Sequence, residues 1–148
     1  MIEWNTSLST GHNVIDESHQ KLIQALNDLG ATLDRSADAD HILEVLSFLI
    51  GYTREHFAYE EDYMRRVHCP ALTENIKAHS SLLVRLSEWV PRLQKAETKE
   101  LATEIFNELT MWITNHILRV DCQLRKCNGP KIGDHPGAPD TQKQNPLP

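Results

Sequence analysis

The chain has 148 residues, a formal net charge of −6, 40% hydrophobic and 24% charged residues, which suits one domain burying roughly 70% of its unfolded surface without disulfides. Acidic and basic residues interleave, so no basic patch recommends nucleic acid or an anionic membrane as a partner. The longest apolar run, Ile42 to Ile50, is broken by Glu44 and falls short of the ~18 residues that span a bilayer; Met1–Asn5 lacks the character of a secretory leader, so a cytoplasmic protein without membrane insertion is expected.

Residues 1–15 set Trp4, Leu8, Gly11, Val14 and Ile15 among turn formers and read as an ordered leading arm. From Asp16 to Leu33, Leu22, Ile23, Leu26 and Leu29 recur at threes and fours, predicting an amphipathic helix. The Ser-, Ala- and Asp-rich stretch 34–40 is a connection with several candidate N-caps. A second helix is predicted from Ala39 to Val67, with Ile42, Leu46, Leu49, His56, Phe57, Glu60 and Met64 facing inward. His68-Cys69-Pro70 stops it, because proline removes a donor and restricts the residue before it. The third runs from Leu72 to Val90, with Ile76, His79, Leu82, Leu83 and Leu86 on one stripe and Pro91 as its end or kink. The fourth runs from Lys99 to Lys126, carrying Leu101, Ile105, Leu109, Trp112, Ile113, His116, Ile117 and Val120 inward until Gly129-Pro130. Four amphipathic helices with short connections predict an all-α, antiparallel up-down-up-down bundle over residues 1–127. Residues 128–148 read as a flexible C-terminal tail.

Cys69, Cys122 and Cys127 form no CxxC pair and read as three free thiols. Cys122 and Cys127, five apart, diverge by about 140° on a helix and would not meet.

A core stripe should be apolar, so its exceptions carry the chemistry. His19 lies on the first helix, His56 and Glu60 on the second, His79 on the third, and His116 and Asp121 on the fourth. His56 and Glu60, four apart, diverge by only about 40° and can face one point. Any one of these histidines alone reads more simply as a hydrogen-bonded core residue. Together the six would each cost roughly a few kcal/mol to bury unsatisfied, and a metal cluster satisfies them all. Imidazole and carboxylate donors suit iron, manganese or zinc, and two carboxylates suit two metals. The step from His116 to Asp121 turns about 140°, so both reach one centre only if the metals lie along that face or the helix distorts.

These residues, with Trp4, Thr10-Gly11, Ile15-Asp16-Glu17-Ser18-His19, His56-Phe57-Ala58-Tyr59-Glu60-Glu61, Met64, Pro70 and Trp112-Ile113-Thr114-Asn115-His116-Ile117, occur in an order that resembles the bacterial hemerythrins across roughly residues 4–124. The resemblance implies two iron ions with an oxo or hydroxo bridge. His19 and His56 would hold one iron, His79 and His116 the other, and Glu60 and Asp121 would bridge them. It further implies O2, or a related diatomic or peroxide, as ligand, for storage, delivery or sensing. Leu22, Ile23, Leu83, Trp112 and Ile117 are candidate shielding residues around O2, although each also reads as plain core. The family's third helix carries HxxxH, but here the earlier position is Asn75. Its amide oxygen or a water would take the place of an imidazole. That departure keeps two alternatives open: a di-iron enzyme acting on O2, peroxide or nitric oxide, and an iron-dependent redox sensor signalling through Cys122 or the tail to an unspecified protein partner. His12, His41, His68 and His135 receive no ligand role.

Overall fold

The structure is a computed structural model that describes residues 1–34, 39–95 and 99–127. Its helices are α1 (Asn13–Asp34), α2 (Ala39–Arg66), α3 (Leu72–Lys95) and α4 (Lys99–Arg119). Two 3-10 segments flank them, η1 (Thr6–Leu8) in the leading arm and η2 (Asp121–Lys126) after α4. Consecutive helices pack side by side and α4 returns onto α1, closing the expected four-helix bundle. Among the described residues no helix is long and apolar enough to cross a membrane. The expected tail, 128–148, lies outside the described residues.

The leading arm is docked as the sequence suggested. Leu8 is buried and Ile2 and Trp4 pack against the main core. The chain turns into α1 at Gly11, whose φ of 80° favours glycine. The Asp16 carboxylate accepts hydrogen bonds from the Ser9 hydroxyl (2.6 Å), the Thr10 N–H (2.6 Å) and the Thr10 hydroxyl (2.7 Å). With the His12 imidazole accepting from the Ile15 N–H, this capping starts α1 three residues before the predicted Asp16.

Helix α2 ends in a Schellman turn. The Cys69 N–H donates to the Met64 carbonyl and the His68 N–H to the Arg65 carbonyl, while His68 adopts the left-handed φ of 52°. This turn aims Cys69 inward, into a small second core with Ile15, Met64, Ala71 and Leu124. Helix α3 neither stops nor breaks at Pro91 but continues to Lys95. Pro91 is exposed, so the ladder bond it forfeits leaves the Ser87 carbonyl on the solvent face rather than orphaned in the core.

Two expectations are corrected at the far end of the chain. Helix α4 does not reach Lys126: it ends at Arg119, and the backbone passes through Val120 (φ −105°, ψ −60°) into η2. Nor are there three free thiols, since Cys69 and Cys127 form a disulfide across 58 residues with Cα atoms 5.1 Å apart. Helical spacing separates Cys122 from Cys127 but does not bear on Cys69; the Schellman turn and the break after α4 bring Cys69 and Cys127 to the same end of the bundle. Cys122 remains a free thiol and donates to the Leu118 carbonyl one turn back. Arg125 then ties η2 to the arm, its guanidinium donating to the carbonyls of Thr6, Ser7 and Ser9.

Candidate metal centre

All six polar residues singled out on the helical stripes are buried and converge at one level of the bundle: His19, His56, Glu60, His79, His116 and Asp121. Helical spacing delivers five of them directly. The sixth depends on the end of α4, because a regular helix would turn Asp121 away from His116. The switch to η2 after Arg119 brings the Asp121 carboxylate back, and its Oδ1 lies 3.0 Å from His116 Nε2.

The donor atoms form two overlapping sets. His19, His56, Glu60 and Asp121 make one, and Glu60, His79, His116 and Asp121 the other, with the donor atoms of each set within 4.8 Å of one another. Glu60 and Asp121 belong to both. Asp121 divides its oxygens, Oδ2 lying 3.2 Å from His19 Nε2 and Oδ1 facing His116. Glu60 Oε2 sits between His56 Nε2 (3.7 Å) and His79 Nε2 (3.5 Å). Each carboxylate thus touches one imidazole from each set, the arrangement that two cations sharing both carboxylates require.

The unsatisfied atoms test whether cations fit. Both nitrogens of His19, Nε2 of His79, and both oxygens of Glu60 and of Asp121 are buried without a hydrogen-bond partner. Native cores seldom leave such atoms unmatched, and here the two carboxylates and the Nε2 atoms of His19 and His79 fall within the two donor sets. Electrostatics agrees. Burial, reinforced by the neighbouring imidazoles, pushes His56 down to about 3 and His79 down to about 2, so each ring is neutral and keeps one nitrogen lone pair free of a proton. Burial opposes ionisation of Asp121, but the close approach of the His116 and His19 imidazoles outweighs it and holds the carboxyl well below its usual value. Burial and the Asp121 charge drive Glu60 well above the carboxylate range, against the Asn75 amide. A bound cation would remove that conflict by stabilising both carboxylates together.

The surroundings orient the imidazoles. Phe57 stacks on His79 with centroids 3.6 Å apart and planes 7° from parallel. Trp112 stacks on His116 at 4.3 Å and 16°. His79 Nδ1 lies 2.8 Å from Glu61 Oε1, so the Nδ1–H donates outward and Nε2 is left to face Glu60. Sequence reasoning quoted Glu61 only as part of a motif. Its signal was position: beside Glu60, it turns about 100° around α2, towards α3.

The five candidate shielding residues are less tightly grouped. Leu22, Ile23 and Ile117 are buried in the main core, and Leu83 and Trp112 pack against it half-buried. A cavity of about 660 Å³ opens between α3 and α4 beside Leu82, Trp89, Met111 and His116; of the five, Trp112 alone lines it. The histidines given no ligand role stand apart: His12 packs edge-on against Tyr63, His41 pairs with Glu44, and His68 is exposed. His135 lies outside the described residues.

Comparison with known proteins points the same way. The family described as Hemerythrin HHE cation binding domain matches residues 10–124. A bacteriohemerythrin of Stenotrophomonas maltophilia is 30% identical over 117 residues, covering 79% of this chain and 74% of that protein. A bacteriohemerythrin of Pseudomonas aeruginosa is 32% identical over 120 residues, 80% of this chain and 75% of the relative. A myohemerythrin of Riftia pachyptila is 27% identical over 122 residues, 82% and 89% respectively.

Proposed function

The chain belongs to the hemerythrin family, and from that premise we propose that it is a non-haem iron protein that binds O2 at a carboxylate-bridged pair of iron ions. The observation that carries this reading is the sharing of Glu60 and Asp121 between two donor sets that each add two imidazoles. His19 and His56 would hold one iron, His79 and His116 the other. The iron pair, when bound, would supply the electrons and the open position for O2.

The protein's own part is positioning and exclusion. Neutral imidazoles bring no positive charge, so the two carboxylates offset that of the cations. Stacking by Phe57 and Trp112 and the Glu61 contact limit rotation of His79 and His116. Buried apolar residues of the main core, Ile117 and Leu22 among them, would keep water and its protons out of the site.

Asn75 favours a second reading. It is fully buried where the family resemblance leads one to expect an imidazole, so the second iron has one strong donor fewer. An open position on each metal suits turnover of O2, peroxide or nitric oxide better than reversible carriage.

One experiment tests both. The chain is loaded anaerobically with ferrous iron, its metal content measured, and O2 added while the visible absorption is followed. Two irons per chain and a band that disappears under argon and returns with O2 support carriage. Rapid, irreversible oxidation without a lasting band supports turnover. Fewer than two irons per chain refutes the dinuclear reading.

A further inference from the structure

Asn75 lies one turn before His79 on α3, fully buried and facing the same centre. Its Oδ1 is 3.0 Å from His116 Nε2, the same separation that Asp121 Oδ1 keeps from that nitrogen. A single Nε2 therefore faces two oxygens from different elements at equal distance. One proton can serve both only as a weak, divided hydrogen bond. A cation meets all three atoms, since neighbouring donors around an octahedral ion with bonds of ~2.1 Å are about 3 Å apart.

The amide's other end fixes which atom points inward. Nδ2 donates to Met64 Sδ at 2.9 Å. A thioether sulfur can only accept, so the N–H end is committed there and the oxygen faces His116. In the reverse orientation a carbonyl oxygen would abut a thioether that has no proton to offer it.

We infer that the Asn75 amide oxygen is itself a metal donor, completing the Glu60, His79, His116 and Asp121 set as a fifth protein ligand. This rests on the dinuclear reading above and deepens it. The two positions then differ: that of His19 and His56 takes two nitrogens and two carboxylates, while that of His79 and His116 takes two nitrogens and three oxygens. The second is harder in character and, lacking a third imidazole, accepts manganese(II) more readily beside iron(II). A neutral amide is also a weak donor that exchanges easily, so the position vacates without loss of the metal.

Two measurements on the full chain test the inference. The first needs no variant: isotope-labelled protein is titrated with Zn2+ as a diamagnetic probe, and the Asn75 side-chain amide is followed by NMR. Coordination shifts its carbonyl carbon and amide nitrogen as the position of His79 and His116 fills. The second compares stepwise metal affinities, by competition with a chelator, for the wild type, Asn75→Leu, Asn75→Asp and Asn75→His. Asn75→Leu should weaken one step about 10- to 100-fold and leave the other within threefold, whereas Asn75→Asp and Asn75→His should restore or tighten it. X-ray absorption of the iron-loaded Asn75→His chain should register one more imidazole than the wild type. If the wild type binds two metals but the Asn75 amide resonances stay put and Asn75→Leu binds both metals normally, the donor assignment is overturned and the dinuclear reading survives. A wild type that takes fewer than two metals per chain overturns both.

Discussion

Removing the Cys69–Cys127 bridge with the pair of changes Cys69→Ala and Cys127→Ala should destabilise the apo-protein substantially. The disulfide closes a loop with a sequence separation of 58. The chain-entropy relation assigns such a loop about 14 cal/mol/K, or about 4 kcal/mol at 25 °C, through restriction of the unfolded chain. For a domain of this size that corresponds to a fall in Tm on the order of 10 °C. Urea unfolding followed by helical circular dichroism, with and without a dithiol reductant, measures it. The reductant should lower the midpoint of the wild type and leave the double variant unmoved. The variant should lie slightly below the reduced wild type, because buried Cys69 also gives up packing against Met64 and Ala71. A variant within ~0.5 kcal/mol of the oxidised wild type, together with no response to reductant, would refute the reasoning.

Glu61→Ala should lower metal affinity about 10- to 100-fold by freeing the His79 ring, with Glu61→Gln recovering part of the loss because its amide oxygen still accepts from Nδ1–H; chelator competition reads the difference, and unchanged affinity in Glu61→Ala would show that stacking on Phe57 alone orients the ring. The two helical glycines should behave oppositely on replacement by alanine. At Gly51 an added Cβ meets nothing within 4 Å, so Gly51→Ala should stabilise by about 0.5–1 kcal/mol. At Gly30 it would lie 2.8 Å from Phe106 Cζ, so displacement of that ring should consume the same gain; paired thermal melts decide, and equal stabilisation at both sites would count against the packing argument.

Periodicity made most of this structure legible. The four stripes located α1 to α4 within a few residues at most ends, and the six polar interruptions of those stripes are the ones that converge. What periodicity could not see lies where the backbone leaves it. The early start of α1 is owed to side-chain capping by His12 and Asp16. The continuation of α3 through Pro91 turns on whether one lost donor faces solvent. The disulfide depends on two turns, at His68 and at Val120, that jointly bring together residues a pattern search treats as unrelated. The 140° between His116 and Asp121 was the informative misfit: a regular α4 could not deliver both, and the structure resolves it with a change of helix type at Arg119. Glu61 was hidden for a different reason, since a half-exposed glutamate beside a buried one looks like ordinary solvated charge.

The break after α4 also bears on the order of events during folding. The donors of one set run from α1 to η2 and those of the other from α2 to η2, so neither set is complete until Asp121, near the end of the described chain, has reached the other helices. Asp121 arrives only when η2 is folded against the arm through Arg125 and against the α2–α3 turn through Cys127. On the proposed ligand set, loading would therefore follow closure of the bundle, and a partly folded chain would offer a passing cation little more than an isolated His56–Glu60 pair. Asp121, one of the two carboxylates common to both sets, would then act as a latch for the whole tertiary structure, and a loaded centre would record that the fold is complete.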